Sequence, residues 1–304
     1  AWTDVTQGVI LLLSLGFIAF ALFFHLGGPA GVAEGLEKAR PDIWSPPDLK
    51  QKITWLSSTL LFFFGISMYP HAIQRIYAAK DERTLKRSLQ VMAFMPLVTT
   101  FFLVLLGVMA IAIIPGLGKE ESDRTTLLMV GKLVQELPAL TIMGPLLVAA
   151  VIAATMSTID SALLAISSLV TNDIYRIYNP EANNMELTRV GKATSIIIMV
   201  LVVLLTIALQ DQTIWRLLEI KLEVLAQIAP AVMLGIQFKN IRARSIFCGV
   251  ILGTLTAVYL TMLPDPKPYG IHAGIWGLGV NIFTVLFFHF VMDRGRTGTP
   301  TEER

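Results

Sequence analysis

Residues 151–176 read VIAATMSTIDSALLAISSLVTNDIYR. The run is apolar enough to cross a bilayer and longer than the roughly 20 helical residues that crossing takes. Yet it keeps Ser157, Thr158, Asp160 and Ser161 side by side near its middle. Polar groups at that depth are costly and mark a pathway, a pair or a contact between helices. The stretch therefore states the class of protein and points to where its chemistry lies.

The rest of the chain agrees with that class. Hydrophobic residues make up 54% and charged residues 15% of it, against about 25% charged in soluble domains, and the mean hydropathy is +0.67. Eight candidate spans follow one another, at about 3–26, 54–79, 88–115, 139–172, 188–209, 214–238, 244–263 and 270–292. No segment alternates polar and apolar residues as a barrel strand would. The expected fold is an all-α polytopic membrane protein with about eight transmembrane helices and one membrane domain, embedded in a lipid bilayer.

Charge and cysteine usage exclude several functions. The net charge of +2 is too small to argue for a nucleic-acid partner, and Lys and Arg fall in short clusters between apolar runs. With Cys248 alone no internal disulfide or Cys-rich metal site can form, and His25, His71, His272 and His289 are scattered without ligand spacing. No cofactor is expected. The opening AWTDVTQGVILLLSLGFIAFALFF has no charged leader and reads as an internal span rather than a signal peptide, which makes the chain a piece of a longer one.

The loops sort by charge. RIYAAKDERTLKR, DIYRIYNPEANNMELTRVGK, KNIRAR and DRGR carry Lys and Arg close to the spans, whereas the loops 27–52 and 116–138 balance basic residues with acidic ones. The positive-inside rule then puts the even-numbered connections and the tail 293–304 in the cytoplasm of a cell whose plasma or inner membrane holds the protein.

Three spans carry candidate site residues. In the second, FFFGISMYPHAIQR places Gly65 and Pro70 mid-span. Proline removes a backbone hydrogen bond and crowds the preceding turn, so the span reads as a kink or as a true break. Ser67, Tyr69, His71 and Gln74 surround it, and unwound backbone at membrane depth survives where it is buried or lines a polar cavity. In the fourth, Ala154, Ser157, Thr158 and Ser161 share one helical face. Two hydroxyls and a carbonyl freed at Ala154 could serve a hard cation such as sodium, or the hydroxyls could bond back to their own helix or join neighbours. Asp160 marks a pathway, or a vestibule position with a basic partner. In the sixth, Glu219, Glu223 and Gln227 recur every four residues, with Arg216 and Lys221 available to pair. They form either a polar lining or an internal salt-bridge ladder near the outer mouth, the ladder being the simpler.

ATMSTIDSALLAISSLVTNDIYR closely resembles the signature helix of the sodium:solute symporters, the family of bacterial proline, pantothenate, sugar and monocarboxylate carriers. AWTDVTQG and PHAIQRIYAAKD resemble two further family stretches in the right order. The resemblance implies a leucine-transporter-like inverted-repeat fold. Residues 1–26 would close the first repeat, 54–238 form the second five-helix repeat, and 244–292 two peripheral helices. It implies a sodium site at Ala154, Ser157 and Thr158, shared with a helix before Ala1, an inward ion route past Asp4 and Asp160, and substrate contacts at the Tyr69–Pro70 break. Ser67, His71, Gln74, Glu223 and Gln227 are the further candidates for that contact. Sugar-carrying relatives have Asn-Gln where this chain has Tyr69-Pro70, and Lys where it has Pro96, so a sugar is not the expected solute. MYPHAIQR and LEIKLEVLAQIAP look more like the monocarboxylate and organic-anion branch. The function implied is symport of sodium with a small solute, a monocarboxylate first, with proline, pantothenate or a symporter-like sensor as alternatives. An enzyme is not expected: there is no HExxH, no Cys-His arrangement and no paired aspartates.

Overall fold

A computed structural model of the chain describes residues 2–118, 121–136, 138, 141–238 and 241–292. In chain order the helices are α1 (Trp2–His25), α2 (Gly28–Ala39), α3 (Leu49–Ser67), α4 (Pro70–Tyr77), α5 (Glu82–Ile113), α6 (Thr125–Glu136), α7 (Met143–Leu169) and α8 (Arg176–Tyr178). There follow α9 (Asn184–Ala208), α10 (Ile214–Leu225), α11 (Ala229–Gln237), α12 (Ala243–Thr261) and α13 (Ala273–Phe287). Among the described residues there is no strand, and 6 stretches are long and apolar enough to cross a membrane. The chain is an all-α polytopic membrane protein.

The two expected spans that do not appear among those 6 are interrupted. The second stops at Ser67 and resumes at Pro70, leaving Met68 and Tyr69 outside either helix. The sixth is α10 and α11 joined by a tight turn at Ala226–Ile228, with Pro230 in the first turn of α11, where proline's missing N–H costs nothing. The fourth runs unbroken through Ala154 and widens only at Val170–Tyr175, one π-type turn before α8. Ala154 thus lies within a continuous helix.

The chain divides into two units, one of residues 1–45 with 74–213 and one of residues 46–73 with 214–304. The core of the first unit joins Ile18 and Leu22 of α1 to Met109 of α5, Met129 and Leu133 of α6 and Leu147 of α7. Helices α2 and α6 occupy stretches expected to be loops. Each is only 12 residues long and too polar for a span, but one face is apolar: Val32 and Leu36 on α2, Met129, Val130 and Leu133 on α6 are buried. His25 and Glu136 pair where α1 and α6 end. Starts are set by side-chain caps. Asp81 accepts the Thr84 N–H at 2.7 Å to begin α5, and Asn183 accepts the Glu186 N–H at 2.9 Å to begin α9. Pro96 sits inside α5 without ending it.

In the second unit α3 opens with a reciprocal cap, Asp48 accepting the Gln51 N–H while the Gln51 side chain accepts the Asp48 N–H. Helices α12 and α13 touch backbone to backbone. A Cβ on Gly277 would stand 2.5 Å from the Gly253 carbonyl oxygen, and one on Gly253 2.8 Å from that of Gly277. Only glycine permits this approach, the means by which membrane helices gain contact without a hydrophobic driving force.

Candidate functional site

In the first unit, Ala154, Ser157, Thr158 and Asp160 all lie on α7, which packs against α1 and α9. The Thr158 hydroxyl donates to the Ala154 carbonyl at 3.0 Å, and the Ser161 hydroxyl to that of Ser157 at 2.9 Å. Each hydroxyl thereby places its one hydrogen on its own helix but keeps lone pairs. Oxygen ligands for a hard cation therefore remain on this face. Ser157 is half-buried; Thr158 and Asp160 are exposed. No basic partner pairs with Asp160 among the described residues. Gln74 also belongs to this unit. The backbone of Asp4 lies in α1, and its side chain lies outside the described residues, as does the tail 293–304.

In the second unit the break at Met68–Tyr69 is closed by turn bonds. The Tyr69 N–H donates to Ile66 O at 3.2 Å, and Tyr69 O accepts from Ala72 and Ile73 at 3.0 Å each. The Ser67 hydroxyl donates to Phe63 O at 2.7 Å. Beside Pro70, the Tyr69 ring stacks on that of His71, 5.2 Å between centroids and 20° from parallel. Lys221 Nζ stands 4.9 Å from the Tyr69 centroid, within cation–π range. Lys221 thus serves the break and not the ladder.

The ladder is real: Arg216 pairs with it as expected, and Lys267 stands where Lys221 was expected. Glu219, Glu223 and Gln227 are 3%, 1% and 0% exposed. Glu219 accepts from Lys267 Nζ and Trp215 Nε1, each at 2.7 Å, with Arg216 Nη1 at 3.4 Å. Glu223 Oε2 meets the Thr261 hydroxyl at 2.6 Å, and Glu223 Oε1 lies 3.9 Å from Arg216 Nη1 and 3.6 Å from His272 Nδ1. Gln227 donates to the carbonyls of Glu223 and Gly274, and its own carbonyl accepts from Asn281 Nδ2 at 2.8 Å. The structure therefore encloses Glu223 and Gln227 inside the second unit, hydrogen-bonded to α12, α13 and their own helix. Sequence reading missed Lys267, Thr261, His272 and Asn281. They stand 38 to 54 residues from their partners on α10 and its turn, beyond any helical spacing that could have shown them.

The family model described as "Sodium:solute symporter family" matches residues 1–253. The chain belongs to the sodium:solute symporter family. It is 25% identical over 299 residues to the osmoregulated proline transporter OpuE of Bacillus subtilis (strain 168), covering 96% of this chain and 59% of that protein. To the sodium/pantothenate symporter of Haemophilus influenzae it is 28% identical over 267 residues, 86% of this chain and 54% of that one. To the high-affinity proline transporter PutP of Bacillus subtilis it is 27% identical over 264 residues, 85% and 54%. The chain spans about half the length of these curated relatives. Its family and these relatives are transporters, not enzymes, and this symporter-family chain is a multi-pass membrane protein.

Proposed function

We propose that this chain is the greater part of a sodium-coupled symporter for a small solute that carries a carboxylate. The observation that carries the reading is the family match across residues 1–253, which takes in α7 with its hydroxyl face. Sodium would be held by Ser157 Oγ, Thr158 Oγ1 and the Ala154 carbonyl, and would leave inward past Asp160 and Asp4, with the tail 293–304 on the cytoplasmic side.

The solute would bind at the Tyr69–Pro70 break, beside Ser67 and His71. Lys221, poised over Tyr69, would meet its carboxylate. Glu223 and Gln227, already engaged in the second unit, would support α10 under Lys221 rather than touch the solute. A carboxylate is common to the monocarboxylates that the motifs favour and to proline and pantothenate, which name the relatives; no relative described above is named for a monocarboxylate.

Energy comes from the ion gradient. One charge crossing about 100 mV yields roughly 2.3 kcal/mol, and a tenfold sodium ratio adds about 1.4 kcal/mol. For a zwitterionic solute the two together support a ratio of several hundredfold per ion; an anionic carboxylate moving with one sodium carries no net charge across, so only the sodium ratio, about tenfold, drives it.

The test is uptake of labelled proline, pantothenate, pyruvate and propionate into proteoliposomes, with sodium imposed or replaced by potassium. A Ser157→Ala/Thr158→Ala double variant is run beside the parent. Sodium-dependent accumulation that collapses in the variant supports symport through this face. Flux indifferent to sodium would point to a passive channel, and an unchanged variant would leave the hydroxyls as helix contacts.

A further inference from the structure

The ends of α11 and α13, in the second unit, enclose a cavity of about 460 Å³. Leu234 and Gln237 line it from α11, Phe238 and Ile241 from the loop that follows, and Leu286, His289 and Phe290 from α13 and the π-type turn at Phe288–Met292. Helices α12 and α13 are spans joined by residues 262–272, so the start of one and the end of the other lie at the same surface of the bilayer. The cavity therefore sits at the depth where lipid headgroups meet acyl chains.

Its walls are apolar except for two side chains. Neither Gln237 nor His289 has a hydrogen-bond partner among the described residues. His289 Nδ1 is buried, and a hydrogen there would be stranded, so the neutral ring carries its hydrogen on Nε2. Both side chains thus hold a donor ready at the cavity. Charge selects what they meet. Between Glu223 and Asp265 the sequence holds no acidic residue, while Arg242 follows Ile241 directly and Arg244 lies just beyond Ala243. Arg242 is the N-cap of α12, and no side chain closes that first turn, so the positive end of the helix dipole adds to the two guanidinium charges. The C-terminal ends of α11 and α13 oppose with about half a charge each, less than the arginines supply.

We propose that this cavity binds an anionic phospholipid of the leaflet it faces. One acyl chain lies among Leu234, Phe238 and Leu286, the ester oxygens accept from Gln237 and His289 Nε2, and the phosphate stands at the start of α12 beside Arg244. Basic pockets between spans at a membrane surface hold acidic headgroups in this way. A small water-soluble anion would leave the apolar walls uncovered; a lipid covers them and meets the arginines at once. The proposal needs the membrane and not sodium coupling, so it stands or falls separately from symport.

The test is photocrosslinking of the full chain in nanodiscs of phosphatidylcholine and phosphatidylglycerol in equal parts. A diazirine is carried on an acyl chain of one lipid or the other, and the adducts are mapped by mass spectrometry. Adducts of the phosphatidylglycerol probe should concentrate on residues 234–241 and 286–290 and exceed those of the phosphatidylcholine probe at least about fivefold. Arg244→Gln should lower that preference about fivefold, the pull of one surface arginine on anionic lipid. Leu286→Trp fills the cavity and should remove the adducts there while leaving those along the rest of α12. Adducts spread evenly over the spans would mean that lipid only surrounds the helices, and an unlabelled cavity would mean that the tail 293–304 or a second copy of the chain fills it. Either result, equal labelling by the two probes, or a preference unmoved in Arg244→Gln overturns the proposal. Should Leu286→Trp not fold, Arg244→Gln, at an exposed position, decides alone.

Discussion

Lys221 Nζ stands 4.9 Å from the centre of the Tyr69 ring, at the point where the helix of residues 49–67 gives way to that of residues 70–77. An exposed cation–π contact of this kind is worth about 0.5–1 kcal/mol, small enough to yield to a carboxylate. Lys221→Gln should raise the KM for the carboxylate solute at least about tenfold, the worth of one charge-assisted hydrogen bond. It should leave uptake of the corresponding amide little changed. Equal loss for both compounds would mean that Lys221 only props the ring.

The contact between α12 and α13 leaves no room for a side chain. Gly277→Val should lower the stability of the second unit by about 3 kcal/mol, the upper range for overpacking. Gly279→Val, on the same helix with nothing within 4 Å of its Cβ position, serves as the control. Thermal unfolding in detergent, followed by the circular dichroism of both variants, separates them.

Ion pairs of the two units should differ in weight. Lys267 meets Glu219, whose side chain is 4% exposed, whereas Lys38 meets Glu34 with both side chains about 70% exposed. Removing one partner of a buried pair strands the other charge; removing an exposed one does little. Lys267→Met should cost about 3 kcal/mol and Lys38→Met should leave the unfolding midpoint unmoved. Similar midpoints for the two variants would show that Glu219 is sufficiently held by Arg216 and Trp215.

Asp81 gives a dependence on pH. The Thr84 N–H that it accepts holds its carboxyl below the ordinary carboxylate range. A lowered value in the folded state means that the cap contributes fully above the unfolded value and is lost as pH falls through the folded one. Amide exchange at Thr84, measured relative to Glu186 under the non-titrating Asn183 cap, should therefore accelerate toward acid. In Asp81→Asn the ratio should stay flat with pH.

What was legible in the sequence follows from range. The run 151–176 showed a spanning helix because apolar length is a local property, and Pro70 marked the break at Met68–Tyr69 that directly precedes it because proline acts on its own turn. The 12-residue helices α2 and α6 escaped because a window of span length averages their single apolar face with charges opposite. The ladder on α10 was visible as a four-residue repeat and Arg216 as one of its cations, but the other was misassigned. Lys221 is nearer in sequence to Glu219 and Glu223, and only the fold brings Lys267 to Glu219 across 48 positions. His272 looked isolated for the same reason.

The bond from the His272 N–H to Ser57 Oγ joins positions 215 apart. At roughly 5–20 residues per second of synthesis, α3 leaves the ribosome roughly 10 to 40 s before the residues that complete its unit exist. Through that interval Ser57 and Ser58 lack His272, and for most of it Leu61 lacks its neighbour on α10. The biogenesis of the second unit is therefore a waiting problem, in which an early helix must be sheltered, by the insertion machinery or by lipid, until the last hairpin arrives to close over it.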